Sequence, residues 1–161
     1  MLEMISEDAG LPDSGGLKAI LTGGLTAGVL DIAAACVNVW ACSGRSPLWT
    51  LQSVAGGLYG TAAFEGGYAT AALGLALHFF IALTAAAVFY AASRTFRLLI
   101  RRPIPCGVFY GVAVWAFMSL LVLPLTPLKI AHSFSSVLTG ILIHIFFVGL
   151  PIALIVRRFS K

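Results

Sequence analysis

The chain has 161 residues, of which 60% are hydrophobic and only 10% are charged. An ordinary soluble domain carries roughly 25% charged residues, and a mean hydropathy of +1.00 indicates a surface that meets lipid, so a water-soluble fold is excluded. The net charge of +4 indicates a membrane surface rather than a nucleic-acid partner, because basic residues of membrane proteins gather at the cytoplasmic ends of their spans.

The N-terminal residues 1–16 contain four acidic side chains and no basic side chain, and they end in a stretch rich in Pro, Gly and Ser. This composition predicts a flexible acidic tail. The remaining residues, 17–161, are predicted to form a single transmembrane domain.

Four apolar runs follow the tail, each long enough to cross a hydrocarbon core of about 30 Å. They cover about 18–42, 70–93, 106–126 and 135–156. Unsatisfied backbone groups are intolerable in lipid, and no alternation over about ten residues marks a barrel, so these runs are predicted to be helices. We expect the third helix to stop at Pro124 and Pro127, because proline breaks a helix. The predicted fold class is all-α, a polytopic membrane protein with four transmembrane helices.

The connection between the first two spans is long enough to hold a further helix. Ser46 is a candidate N-cap, Pro47 suits the first helical position, and apolar residues then recur at helical spacing. About 13 helical residues cover roughly 20 Å, which is too short to span the membrane. We therefore predict an outer amphipathic helix, interfacial or re-entrant, and only the re-entrant form would carry Gln52 and Ser53 towards the middle of the bundle.

The basic residues predict the orientation of the spans. Eight of the ten lysines and arginines fall on one side of this layout, and two, Arg45 and Lys129, fall on the other. Because cytoplasmic loops carry the excess of basic residues, both termini are expected in the cytoplasm.

The second half of the chain echoes the first. The second and fourth spans both contain G-x-x-x-H, and the spans before them both contain G-x-x-x-G. A duplicated helical hairpin, with the outer helix inserted in the first copy, is one explanation. Small residues that let helix backbones approach closely are another. The helix-packing candidates on either explanation are Gly24, Gly28, Gly74, Gly107, Gly111 and Gly140.

Three ionisable side chains, Asp31, His78 and His144, lie inside the predicted spans at one depth. Each falls about eight to ten residues from the outer end of a span, roughly 12 to 15 Å below the outer boundary. Ionisable groups inside a membrane are costly and therefore mark candidate functional sites. Two polar neighbours, Asn38 and Ser119, extend this layer. The polar candidates at the outer mouth are Gln52, Ser53, Glu65 and His132.

Three interpretations of the Asp/His layer remain open. In the first, Asp31 pairs with one histidine and the other histidine bonds a carbonyl, so the layer only holds the bundle together. In the second, the carboxylate and the imidazoles respond to protons or handle a small ion or solute. In the third, His78 and His144 ligate a haem or a transition metal. Two histidines alone are a weak signal, so no cofactor is predicted.

Two segments of the third span resemble a known family. The span begins with Gly107-Val108-Phe109-Tyr110-Gly111 and ends with Leu123-Pro124-Leu125-Thr126-Pro127. Together with the neighbouring His-bearing spans, these segments resemble small bacterial inner-membrane proteins of the YagU-like kind, over about the last two-thirds of the chain. The resemblance implies a polytopic helical fold in the bacterial plasma membrane. It implies no catalytic residue and no substrate.

These observations predict a non-enzymatic integral membrane protein whose Asp31, His78 and His144 layer handles protons or a small ion or solute. The alternatives are a structural or accessory subunit of a membrane complex and a haem or metal carrier. Four short helices enclose little interior, so a transport path is expected within a homo-oligomer or a larger membrane complex. The expected partners are the lipid bilayer and those subunits.

Overall fold

The computed structural model describes residues 14–128 and 133–160, and within them it contains helices and no strand. Four helices are long and apolar enough to cross a membrane, which confirms the predicted all-α class with four spans. These four are α1 (Ser14–Ser43), α3 (Gly67–Thr95), α5 (Pro103–Leu125) and α6 (Phe134–Phe159). The shorter elements are α2 (Pro47–Tyr59), a 3-10 turn (Gly60–Glu65) and α4 (Leu98–Arg101).

The predicted start of α2 is confirmed. Ser46 Oγ accepts a hydrogen bond from the Trp49 backbone N–H, and Pro47 occupies the first turn, where its missing N–H leaves no donor unsatisfied. The start of α1 differs from the prediction, because the helix begins at Ser14 and residues 14–16 are helical rather than part of a tail. The rest of the predicted tail, 1–13, lies outside the described residues.

Two of the spans contain a π-helical stretch that ends two residues before a proline. The stretches are Phe117–Val122, before Pro124 in α5, and His144–Gly149, before Pro151 in α6. In each, the residue that precedes the proline donates its N–H to the carbonyl five residues earlier. Proline supplies no backbone donor and its ring crowds the preceding turn, and a widened turn relieves that crowding.

The end of α5 corrects one detail of the prediction. The helix continues through Pro124 and ends at Leu125, and Thr126 already has an extended backbone. The expected stop at Pro124 is therefore wrong, because the π-helical turn accommodates the ring inside the span. The helix stops before Pro127, as predicted.

The two ends of the bundle differ in composition. The basic end holds the start of α1, the connection from α3 to α5 through α4, and the end of α6. The α2 end holds α2 and the connection from α5 to α6. Between these ends, α1 packs along α3 on one side and along α6 on the other, while α5 packs along α6.

Spans α3 and α5 are joined by one aromatic residue, Tyr110. Its ring lies 4.9 Å from the Phe89 ring, and its hydroxyl donates to the Ala85 carbonyl at 2.6 Å. Beyond Tyr110, towards the α2 end, the two helices leave an apolar groove of about 510 Å³ between them. Many large apolar side chains of the spans are exposed, for example Val37 at 63% and Phe109 at 76%, which suits a lipid environment.

Glycines lie at the closest helix contacts. A Cβ at Gly24 would stand 2.8 Å from Leu83 Cα of α3, and a Cβ at Gly111 would stand 2.6 Å from Ile145 Cα of α6. Both distances are far below ordinary van der Waals contact, so these backbones approach closely only because the side chains are absent. The candidates Gly28 and Gly107 lie at the same two contacts, against α3 and α6 respectively.

The other two packing candidates contact different neighbours. A Cβ at Gly74 would stand 2.9 Å from the Leu51 carbonyl carbon, so α3 packs there against α2. A Cβ at Gly140 would stand 2.7 Å from Trp115 Nε1, so the indole of α5 lies over α6. The two G-x-x-x-H segments therefore sit in unlike surroundings, because α2 covers only the first.

Candidate intramembrane site

The structure brings Asp31 of α1 next to His78 of α3. His78 Nε2 lies 4.0 Å from Asp31 Oδ2, and the two side chains are 13% and 16% exposed. At a rise of 1.5 Å per residue, each residue lies about 17 Å from the α2 end of its helix. The two ionisable groups therefore share one level near the middle of two neighbouring spans.

A backbone carbonyl of α1 orients the His78 ring. His78 Nε2 lies 2.9 Å from the Gly28 carbonyl oxygen. A carbonyl only accepts hydrogen bonds, so we assign the hydrogen to Nε2, which donates it to Gly28. The absence of a Gly28 side chain also admits the adjacent Phe79 ring, since a Cβ there would stand 2.8 Å from it. One glycine thus provides both the acceptor and the space.

This arrangement allows one further proton on the pair. In its neutral form His78 carries one hydrogen, on Nε2, and a second proton on Nδ1 would make it a cation beside Asp31. The separation of 4.0 Å is that of an ion pair rather than a hydrogen bond. Charges are costly in a low-dielectric interior, so a carboxylate and an imidazolium are favoured side by side over two separate buried charges.

His144 has different surroundings. Its Nδ1 lies 2.9 Å from the Gly140 carbonyl oxygen of its own helix, at the start of the π-helical stretch. Among residues 14–128 and 133–160, no group of three or more His, Cys, Asp or Glu side chains could hold a metal ion. The structure therefore pairs Asp31 with His78 and bonds His144 to α6 itself.

The two polar neighbours of the predicted layer lie apart from the pair. Ser119 falls within the π-helical stretch of α5, and in the part of the chain that is described its hydroxyl forms no hydrogen bond to Asp31, His78 or His144. Asn38 lies two turns from Asp31 towards the α2 end, and its Oδ1 accepts a long hydrogen bond of 3.7 Å from Cys42 Sγ. This stripe of α1 provides polar groups between the pair and the α2 end.

Gln52 ties α2 to the start of α3. The side chain is buried, and its Nε2 lies within hydrogen-bonding distance of the Phe64 carbonyl at 3.4 Å, the Gly67 carbonyl at 3.1 Å and Thr70 Oγ1 at 3.4 Å. All three partners lie at the α2 end of the bundle. Gln52 therefore fastens the connection between the helices at this end.

The faces of α2 are oriented for a membrane rather than for water. Its polar residues Thr50 and Gln52 are buried against the bundle, whereas Leu58 and Tyr59 are 62% and 58% exposed. The small residues of α2 also approach the segment after α5, since a Cβ at Gly56 would stand 2.8 Å from Leu128 Cδ2. The helix thus covers the α2 end of the bundle and exposes the apolar residues at its C-terminal end.

Among the described residues, two further outer-mouth candidates, Ser53 and Glu65, form no contact with Asp31 or His78. Ser53 Oγ donates to the Thr50 carbonyl of its own helix at 2.7 Å. Glu65 is exposed at the end of the 3-10 turn. His132 lies outside the described residues, so its place at the outer mouth stays a prediction.

The sequence analysis missed the carbonyl that orients His78. Gly28 and Asp31 are three residues apart and therefore lie on one face of α1, a signal that could have identified them as two parts of one contact. It also missed Gly149, which faces Gly107 and Gly111 across the α5–α6 contact. Gly149 was not among the packing candidates because it lies in a long apolar run and belongs to no G-x-x-x-G pair.

No protein-family model matches the chain, and comparison with curated proteins gives no match. Comparison with solved structures gives no match either.

Proposed function

We propose that this integral membrane protein takes up and releases a proton at the Asp31–His78 pair, and thereby handles protons or an ion or solute coupled to them. The observation that carries the proposal is the 4.0 Å contact between a carboxylate and an imidazole from two different spans. Ionisable groups are rare inside membranes, and where they occur they commonly mark proton or ion pathways. Histidine is the side chain whose ordinary titration range is closest to neutral pH.

The path to the pair is proposed to start at the α2 end. Asn38 and Cys42 continue the polar face of α1 from Asp31 to that end, where Cys42 is exposed. Both Asp31 and His78 keep part of their side-chain surface accessible. A proton that moves between the α2 end and the pair therefore passes polar side chains on α1 instead of a continuous apolar surface.

The test is proton flux into liposomes that contain the purified protein and a trapped pH-sensitive dye. We expect Asp31→Asn and His78→Gln to reduce the flux to the level of empty liposomes, because neither replacement titrates. His78→Gln is the sharper variant, since glutamine can still donate to the Gly28 carbonyl but takes up no proton. His144→Gln is the matched control, because within the described residues the His144 side chain bonds the Gly140 carbonyl of its own helix rather than a second span. Wild-type flux in His78→Gln would refute the proposal.

A structural role is the second candidate, and a specific contact favours it. The 2.9 Å hydrogen bond from His78 to Gly28 joins α1 to α3, and such bonds between spans contribute about 0.6 kcal/mol on average. On this candidate His78→Ala lowers the unfolding temperature and His78→Gln restores it. A protein with no flux whose stability follows this pattern would be a scaffold or accessory subunit.

The proposed location is the bacterial inner membrane, which the YagU-like resemblance also implies, and both termini are proposed to lie in the cytoplasm. In the described residues, the basic end carries Lys18, Arg94, Arg97, Arg101, Arg102, Arg157 and Arg158, whereas the α2 end carries Arg45. Basic residues are enriched on the cytoplasmic side of bacterial spans. The test is labelling of single cysteines in intact cells, where Cys42 is expected to react with an impermeant thiol reagent and a cysteine placed at Arg158 is not.

We also propose that the protein works as a homo-oligomer or within a larger complex. Although α5 packs along α6, only 6% of its most apolar 18 residues are buried, so much of its surface is free to contact another subunit. Chemical cross-linking in native membranes tests the proposal, and a product at the monomer mass alone would contradict it.

A further inference from the structure

A cleft at the basic end of the bundle is lined mainly by arginines. Arg94 at the end of α3, Arg97 before α4 and Arg101 in α4 line it, and its volume is about 370 Å³. Two serines, Ser93 and Ser160, complete the polar part of the wall. The cleft is separate from the Asp31–His78 pair, because it lies beyond the end of α3 rather than near its middle.

The positive charge of this cleft has no compensating carboxylate within the described residues. Those residues contain two acidic side chains, Asp31 in the middle of α1 and Glu65 at the α2 end. The ion pair found within residues 14–128 and 133–160 is the one between Asp31 and His78. Three guanidinium groups therefore share one concave surface, and their mutual repulsion favours the binding of an anion there.

A second observation points to a ligand that accepts hydrogen bonds. The Ser160 hydroxyl is buried and has no hydrogen-bond partner among the described residues. Buried polar atoms in folded proteins are nearly always bonded, so such a hydroxyl indicates a position that another molecule completes. Ser93 differs, because its hydroxyl already donates to the Tyr90 carbonyl at 2.7 Å.

We propose that this cleft binds a phosphate group, either the headgroup phosphate of an anionic membrane lipid or that of a soluble phosphate ester. Guanidinium groups bind phosphate oxygens in pairs with charge-assisted hydrogen bonds, which a lysine cannot reproduce. A serine hydroxyl supplies a further donor. The cleft lies where a span leaves the apolar core, which is the depth of lipid headgroups.

The test is calorimetric titration of the full chain in uncharged detergent at constant ionic strength. The probes are dioctanoyl phosphatidylglycerol, glycerol 3-phosphate and inorganic phosphate, with dioctanoylglycerol as the probe that lacks phosphate. We expect at least one phosphate-bearing probe to bind and dioctanoylglycerol not to bind. Binding of the lipid alone assigns a headgroup site, and binding of glycerol 3-phosphate or inorganic phosphate assigns a soluble ligand. Equal binding of dioctanoylglycerol and the phospholipid would overturn the proposal.

The variants separate a built site from a general surface charge. The triple variant Arg94→Gln, Arg97→Gln, Arg101→Gln is expected to weaken binding by about tenfold or more. Its matched control removes the same charge from the same end at Arg102, Arg157 and Arg158, which do not line the cleft, and should change binding by less than about twofold. Equal weakening by both triple variants would overturn the proposal.

A single replacement keeps the proposal testable if the triple variant fails to fold. Ser160→Ala removes one hydroxyl and no charge, and it is expected to weaken binding several-fold while gel filtration and the unfolding temperature stay at the wild-type values. Unchanged binding in Ser160→Ala, together with unchanged binding in Arg97→Gln, would also overturn the proposal.

Discussion

The contact between α5 and α6 depends on Gly111 having no side chain. A Cβ there would stand 2.6 Å from both the His144 carbonyl oxygen and Ile145 Cα. These are backbone atoms, so no side chain can turn aside to make room. Ordinary contact begins at 3.4 Å, so Gly111→Ala has to push the two helices apart by about 0.8 Å.

The cost of that separation follows from the loss of close contacts. The full attraction between two atoms in contact is about 0.1–0.2 kcal/mol. A gap of about 0.5 to 1 Å between them removes a quarter to a half of that attraction. Over about 50 pairs, the number that one buried leucine makes, the loss is about 2–3 kcal/mol. Measured overpacking costs are also about 1–3 kcal/mol. We therefore expect Gly111→Ala to lower the free energy of unfolding by about 2 kcal/mol.

The assay is equilibrium unfolding of the purified protein in mixed micelles, followed by tryptophan fluorescence. The matched control is Gly23→Ala in α1, where the new Cβ would meet Ile155 Cγ2 at 3.7 Å, an ordinary contact. The control should leave stability unchanged or raise it slightly, since alanine favours a helix over glycine. If Gly111→Ala proved as stable as Gly23→Ala, the close approach of α5 and α6 would be refuted.

Two further replacements test the polar contacts that join the helices. Gln52→Ala leaves its buried acceptors without the amide donor, so it is expected to lower the free energy of unfolding by about 1–3 kcal/mol and to speed amide hydrogen exchange in α2. The control Ser53→Ala removes a bond within one helix turn and should have neither effect. Equal exchange in the two variants would contradict the role of Gln52. Tyr110→Phe removes the 2.6 Å hydrogen bond to the Ala85 carbonyl and should cost about 0.6 kcal/mol, with about 1.7 kcal/mol as an upper value. The control Tyr68→Phe alters an 84% exposed ring, and a loss as large as that of Tyr110→Phe would show that the hydroxyl between α3 and α5 contributes nothing.

The amino-acid sequence by itself determined the number and position of the spans and the start of α2. An apolar run either is or is not long enough to cross the hydrocarbon core, and a cap such as Ser46 acts within one turn. These properties depend on neighbours in the chain and need no knowledge of the bundle. The effect of proline is equally local. At Pro124, however, the result is a π-helical turn inside α5 rather than the end of the helix, because a crowded helical turn can widen instead of ending the helix.

The tertiary structure alone decided which polar groups meet. Counting residues placed Asp31, His78 and His144 at one depth, because each residue adds a constant rise along a helix axis. Depth does not determine direction around the bundle, which depends on how each helix is rotated against its neighbours. That rotation follows from close contacts such as those of Gly24 and Gly111, and it turns His78 towards Asp31 and Gly28 while His144 bonds its own helix. The same dependence on packing buries Thr50 and Gln52 of α2 and leaves Leu58 and Tyr59 exposed.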